Sequence, residues 1–196
     1  MFDRCFALLA IIIVSPILLL VSLLIVFTDG FPVFFKHERV GKNGRKFKVL
    51  KFRSMVKNAE LVLKNNSDLY KKYKENDFKL EASEDPRILP FGILIRKLSI
   101  DELPQFFNVL KGEMSVVGPR PVVPEELNEL YGNHSEVYTS VNPGVTGLWQ
   151  ASGRSNLKGA DRVKLDLEGI RRKSLLFDIY IIFKTIYTVF GRKGAH

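Results

Sequence analysis

Cysteine is almost missing from this chain. Cys5 stands alone among 196 residues, which excludes an internal disulfide framework and a cysteine-rich zinc site. Histidine is scarce as well: His37, His134 and His196 show no H-x-x-x-H spacing, so no histidine-based metal centre is expected. Acidic residues are in deficit, 21 against 30 Lys and Arg, giving a net charge of +9. Such a balance favours an anionic partner, whether nucleic acid, anionic membrane lipid or a phosphate-rich small molecule. No recognised nucleic-acid-binding motif accompanies the charge, and no nucleic-acid partner is expected. Internal repeats and low-complexity tracts are lacking too. The length supports one domain with a real core and leaves little for a second.

What is present is unevenly distributed. Mean hydropathy is +0.03 although 26% of residues are charged, so the apolar residues must be concentrated somewhere. From Phe6 to Phe27, FALLAIIIVSPILLLVSLLIVF carries no charge. As a straight helix this run measures about 33 Å, enough to cross the hydrocarbon core of a bilayer. A cleaved signal peptide would need a stronger basic lead than Arg4 beside Asp3, and a small-x-small cleavage site that does not follow. Ser15-Pro16 interrupts the run near its middle. Pro16 removes a helical hydrogen bond and predicts a kink, and the Ser15 hydroxyl can bond back to the preceding turn. A break at that depth permits two paths, a span or a re-entrant helix that leaves by the face it entered. Lys36, Arg39, Lys42, Arg45, Lys46 and Lys48 predict that the downstream flank is cytoplasmic. The residues alone leave the two paths open.

A second apolar stretch, 174–194, is interrupted by Asp178 and Lys184 and is too short and too charged to span. It reads either as a core helix or as an interfacial helix with Arg192 and Lys193 among headgroups. PQFFNVL, 104–110, offers a similar apolar plug. The remaining chain reads as α/β and mainly helical. Residues 32–55 alternate around Gly41-Lys42-Asn43-Gly44 and predict a β-hairpin with a basic turn. Residues 56–84 predict solvated helix. Residues 85–99 predict a turn at Asp85-Pro86 and then an apolar-faced helix bearing Arg96 and Lys97. Further helices are expected over about 124–131 and 158–172. Between them VNPGVTGLWQASGRS, 141–155, has the small-residue profile of a ligand-holding loop. His37, His134 and Trp149 read as structural, with Trp149 also suited to a membrane interface.

SIDELPQFFNVLKGEMSVVGPRP, 99–121, sets Asp101 and Glu102 side by side ahead of Pro104 and an apolar run. The plain reading is a helix cap: with Asp101 capping, Pro104 falls at the third helical position, where no intrahelical donor is needed. A functional reading uses the same place in the chain. Adjacent carboxylates can bind Mg²⁺, which in turn binds phosphate oxygens, or one carboxylate can attack phosphorus to form an acyl phosphate. That chemistry needs cations around the phosphoryl group. Arg96 precedes the acids, and Arg120, stiffened by Pro119 and Pro121, is suited to bidentate phosphate contact.

FRSM, DPRILPFGILIRKLSIDELPQFFNVLKGEMSVVGPRP, PGVTGLWQASGR and the closing GRKGA, in that order, resemble the bacterial small monotopic phosphoglycosyl transferases, also described as bacterial sugar transferases. The resemblance covers essentially the whole chain, with Ile100 where the family usually has leucine. Many members carry additional N-terminal membrane helices and a further domain, so this chain looks like the minimal catalytic unit. Its polar insert, 56–84, is similar to that of the galactose- and glucose-type branch. The resemblance implies a two-step transfer. The aspartate, here Asp101, attacks the β-phosphate of a UDP-sugar and releases UMP. Polyprenyl (undecaprenyl) phosphate then attacks the phosphosugar-enzyme, giving polyprenyl-diphospho-sugar for exopolysaccharide, O-antigen or glycoprotein-glycan assembly. Glu102, with Asp101, is implied to hold Mg²⁺. Substrate contacts are implied at Arg96, Arg120, Arg154 and Gln150, with Lys51 and Arg53 on a basic strand facing the site. The resemblance also implies that residues 1–30 form a re-entrant helix broken at Ser15-Pro16, while 31–196 form the catalytic domain with interfacial helices. That arrangement implies the cytoplasmic face of the bacterial inner membrane and contact with anionic lipid; a homodimer stays open. Direct one-step transfer, with Asp101 as base or metal ligand, and a non-enzymatic basic membrane scaffold are the alternatives.

Overall fold

The computed structural model describes residues 2–75, 80, 84–153, 157 and 159–190. Its first element, α1 (Phe2–Asp29), runs without interruption through Pro16. The expected break between two helical segments is therefore absent. Proline at 16 leaves the Ile12 carbonyl without its usual donor, and the Ser15 hydroxyl donates to that carbonyl at 2.8 Å. By length and composition, α1 is the one helix among the described residues long and apolar enough to cross a membrane.

Both ends of α1 are tied to the rest of the chain. Asp3 accepts from the Val116 backbone N–H at 3.0 Å and from the Ser115 hydroxyl at 2.9 Å. At the other end Asp29 pairs with the Arg53 guanidinium and accepts from the Lys57 backbone N–H at 3.0 Å. Ala7 is buried beside Val109 and Met114, while Val21 and Ile25 are buried with Phe52, Leu89 and Ile95. Between these contacts Leu8, Leu9, Ile12, Ile13, Leu19 and Leu20 remain exposed.

The predicted hairpin is present as β1 (Phe34–Val40) and β2 (Lys46–Phe52), antiparallel with Phe34 opposite Phe52 and Val40 opposite Lys46. Its turn is a 3₁₀ segment, Lys42–Gly44, in which Asn43 (φ 57°) and Gly44 (φ 72°) are left-handed, as expected of Asn-Gly. The polar stretch that follows forms two short helices, α2 (Ala59–Lys64) and α3 (Ser67–Glu75). Asp85 then accepts both a backbone and a bidentate side-chain bond from Arg87, closing the predicted turn ahead of α4 (Gly92–Lys97).

Asp101 does not cap the next helix. Ser99 is left-handed (φ 57°) and ends the preceding helix; Ile100–Glu102 forms a separate 3₁₀ turn, and α5 (Gln105–Lys111) begins after Pro104. Pro104 supplies no N–H, so the ladder restarts beyond it. On α5 the Asn108 amide accepts from Leu50 N–H at 3.0 Å and donates to the Lys48 carbonyl at 2.8 Å. It completes the free edge of β2 as a neighbouring strand would.

The chain continues through β3 (Ser115–Val117), α6 (Pro124–Glu126), a π turn over Leu127–Tyr131, and α7 (Ser135–Thr139). The stretch expected to be a loop instead contains β4 (Gly144–Thr146), parallel to β3, and α8 (Leu148–Ala151). Its glycines allow this packing: a Cβ at Gly147 would lie 2.1 Å from the Gly118 carbonyl oxygen, and one at Gly144 equally close to Gly118 N. Last come α9 (Gly159–Arg171) and α10 (Leu175–Phe190). α10 has one buried face, as a core helix requires, and one exposed apolar face. Phe177 and Ile181 are buried, and Thr185 and Thr188 bond to Thr146 and the Ala151 carbonyl. Leu176, Phe183 and Tyr187 lie exposed on the other side. The result is mainly helical, with a small sheet and one N-terminal apolar helix.

Candidate active site

A cavity of about 1250 Å³ opens between the hairpin, the 100–102 turn, α1 and α10. Its lining includes the polar side chains Lys51, Arg96, Asp101, Glu102, Arg120 and Gln150. Apolar side chains line it as well: Phe6, Leu9 and Ile13 of α1, Phe106 of α5, and Ile182 and Ile186 of α10.

Six of the residues expected at a site therefore meet in one cavity. Lys51 Nζ donates to Glu102 Oε1 at 2.7 Å, and Arg120 NH1 approaches the same oxygen at 3.4 Å. Arg96 Nε donates to Ser54 Oγ at 2.7 Å. Gln150 Oε1 is buried and makes no hydrogen bond among the described residues. Asp101 is pushed up to about 6, first by burial and then by the neighbouring Glu102 charge, with Lys51, Arg96 and Arg120 pulling the other way. Burial disfavours a charged carboxylate, and the three cations recover only part of its lost solvation.

Arg53 also reaches the cavity wall, but its guanidinium is engaged by Asp29 and by the Pro32 and Gly30 carbonyls. Its contacts anchor the C-terminal end of α1. Arg154 lies outside the described residues.

The cavity also takes in residues that the sequence does not mark as part of a site. His37 and Arg39 line the wall beside Lys51; Arg39 NH2 lies 3.1 Å from His37 Nδ1, and burial lowers the His37 pKa. Their i, i+2 spacing on β1 is the signal that puts them on one face. Trp149 lines the cavity too, with the Arg120 guanidinium 5.7 Å from its ring centre and that of Arg162 at 4.8 Å. His134 sits in an exposed 3₁₀ turn, Gly132–His134.

Backbone packing holds Arg120 near the acids. Gly118 N–H donates to the Thr146 carbonyl at 2.9 Å, and Gly144 N–H donates to that of Pro119 at 2.8 Å. The two loops are thus bonded on either side of their glycines. With two carboxylates and no cluster of three potential ligands among the described residues, the donor set suits a magnesium ion that keeps waters and takes phosphate oxygens. It does not suit an all-protein metal cage.

A model of the family described as bacterial sugar transferase matches residues 1–192. The exopolysaccharide production protein ExoY of Sinorhizobium fredii is 47% identical over 199 residues, covering 100% of this chain and 86% of that protein. Undecaprenyl-phosphate galactose phosphotransferase of Salmonella typhimurium is 44% identical over 198 residues, covering 100% of this chain and 41% of that protein. The UDP-glucose:undecaprenyl-phosphate glucose-1-phosphate transferase of Escherichia coli is 37% identical over 204 residues, covering 99% of this chain and 40% of the relative. Matched over its full length to such relatives, this chain belongs to the bacterial sugar transferase family and is a transferase.

Proposed function

We propose that this protein moves a sugar 1-phosphate from a UDP-sugar to undecaprenyl phosphate through a covalent intermediate on Asp101. One observation carries the reading: a carboxylate pair ringed by Lys51, Arg96 and Arg120 shares a cavity with apolar side chains from α1 and α10. Such a site suits a reaction between a nucleotide diphosphate and a lipid phosphate. An Asp101 carboxylate oxygen attacks the β-phosphorus, the bond from that phosphorus to the bridging oxygen breaks, and UMP leaves with the electron pair. An oxygen of the lipid phosphate then attacks the same phosphorus. The aspartyl–phosphorus bond breaks, leaving polyprenyl-diphospho-sugar and a free carboxylate.

Arg120 and Lys51 stabilise negative charge as it shifts towards the leaving phosphate, and Arg96 lies beside the attacking carboxylate. Glu102, with Asp101, would hold a magnesium ion that neutralises phosphate charge when bound. Gln150 would meet the donor from the cavity wall. The apolar side chains would receive the first part of the lipid chain, and α10 and α1 would lie at the bilayer interface through their exposed apolar faces.

The anchoring of α1 supports a monotopic arrangement in which a continuous helix dips into one leaflet and returns. Asp3 and Asp29 both bond to the same catalytic body, so ends on opposite sides of a bilayer would require that body to cross it. This reading puts residues 1–30 in the membrane and 31–196 on the cytoplasmic face of the bacterial inner membrane, beside anionic lipid. The activity would start polysaccharide or glycoconjugate assembly.

Intact-protein mass spectrometry tests the route. Nanodisc-embedded protein is incubated with Mg²⁺ and a panel of UDP-sugars without lipid phosphate, beside Asp101→Asn. The expected result is a phosphosugar-sized adduct on the wild type alone, with UMP released. Turnover only after undecaprenyl phosphate is added, with no adduct, would replace the covalent route by direct transfer. No turnover with any donor would overturn the function.

A further inference from the structure

Arg120 is held from behind as well as from the cavity. Its flanking prolines leave it the sole backbone N–H of the Pro119-Arg120-Pro121 triplet. The Arg120 carbonyl accepts from Tyr138 Oη on α7 at 2.7 Å. The carbonyl of this residue therefore ends on a side chain of another element.

Tyr138 belongs to a buried cluster with Tyr131, Arg162 and Asp166. Tyr131 Oη donates to Asp166 Oδ2 at 2.6 Å, Arg162 Nε lies 3.7 Å from the same oxygen, and the Tyr131 and Tyr138 rings are 4.6 Å apart. Tyr131 and Tyr138 are 1% exposed and Asp166 is 2% exposed. None of the three lines the cavity. Burying a carboxylate and two phenols has a desolvation cost that a well-packed apolar cluster would avoid, so stability alone does not account for this network. Through the Arg120 backbone, it reaches the cavity.

We propose that Tyr138 is a positioning residue that clamps the Arg120 backbone, with Tyr131 and Asp166 packed behind it, so that the guanidinium is in place before a phosphate arrives. The proposal rests on the reading of Arg120 as a phosphate-binding residue. A guanidinium makes a bidentate phosphate contact only in a narrow range of positions, and fixing its backbone reduces the freedom lost on binding. The clamp acts through Arg120 and touches no substrate.

Tyr138→Phe removes one hydroxyl and keeps the ring. The experiment compares wild type, Tyr138→Phe, Arg120→Lys and the double variant in nanodiscs. It measures UMP release with Mg²⁺, the active UDP-sugar and undecaprenyl phosphate, together with melting temperature. Tyr138→Phe is expected to lower kcat/KM about ten-fold in the wild-type background, mainly through KM, and less than about two-fold on Arg120→Lys. Its melting temperature should stay within a few degrees of wild type. Equal losses in both backgrounds, or none in the wild type, would overturn the clamp. Wild-type kinetics for Arg120→Lys would remove Arg120 from the phosphate site and the proposal with it. Residue-resolved hydrogen exchange gives a readout independent of the reaction. Tyr138→Phe should speed exchange at the Arg120 amide at least about ten-fold. Unchanged exchange would overturn the clamp even if no donor released UMP.

Discussion

Lys51 and Arg120 converge on one oxygen of Glu102, at 2.7 Å and 3.4 Å. A glutamate that orients two cations also governs where they meet a phosphate. Lys51→Met removes one charge at the developing phosphate oxygens and is expected to reduce kcat/KM for UMP release by about 10²- to 10³-fold. Because Lys51 and Glu102 are partly exposed, the melting temperature should change little. A large fall in melting temperature without a kinetic effect would make the pair structural.

The bond from Ser15 to the Ile12 carbonyl makes a different kind of prediction. Pro16 cannot donate to that carbonyl, so Ser15→Ala should leave it orphaned on an apolar helix and destabilise the protein by about 1–3 kcal/mol. On a Pro16→Ala background the ordinary helical N–H returns, and the same change should cost little. Thermal unfolding of the four variants in nanodiscs measures the difference. An equal loss on both backgrounds would show that Ser15 acts elsewhere.

The chemistry-bearing part of this site was legible because it is local in sequence. Asp101 and Glu102 are adjacent, and Arg96 and Arg120 lie close along the chain with proline marking the second. Lys51 was implied by the family resemblance and Trp149 was not, since nothing near residue 149 announces the Arg120 guanidinium over its ring. Asp166 was invisible for the same reason: its hydrogen-bond partner Tyr131 comes from another element. The cap expected at Asp101 failed because Ser99 turned left-handed, a backbone choice that its residue type does not demand. The helical path of α1 depended on which carbonyl Ser15 bonds, which the Ser-Pro pair alone did not specify.

Glycine packing separates two substitutions of the same kind. Gly147→Ala would place a methyl 2.1 Å from the Gly118 carbonyl oxygen, and backbone cannot yield as a side-chain tip can. Loss of about 3 kcal/mol or more is expected, with folded yield falling accordingly. At Gly169, within α9, the nearest atom to an added Cβ is Leu148 Cβ at 3.4 Å, an ordinary contact. Gly169→Ala should raise stability by about 0.5–1 kcal/mol through helix propensity. Denaturant titration of both variants is the check, and equal effects would contradict the loop packing described here.

Asp166 also predicts a pH dependence of known sign. Burial pushes its carboxyl up to about 6 from the ordinary 3.8, against the Tyr131 hydroxyl, the Arg162 guanidinium, and the Arg120 backbone and charge. Tyr138 contributes an uncharged ring and hydroxyl beside them. The folded protein thus holds this proton more tightly than the unfolded chain. The corresponding stability is complete below pH 3.8 and is lost as pH rises through about 6. Asparagine does not titrate, so Asp166→Asn should gain stability relative to wild type over that interval, by up to about 3 kcal/mol, and then run parallel to it above pH 7. Any constant offset from lost contacts with Arg162 leaves the slope unchanged. Denaturant unfolding of both proteins at half-unit steps from pH 4.5 to 8 measures the difference. A difference that is flat across the interval would mean that Asp166 stays ionised in the fold, held by Arg162 and Tyr131 more strongly than burial opposes it.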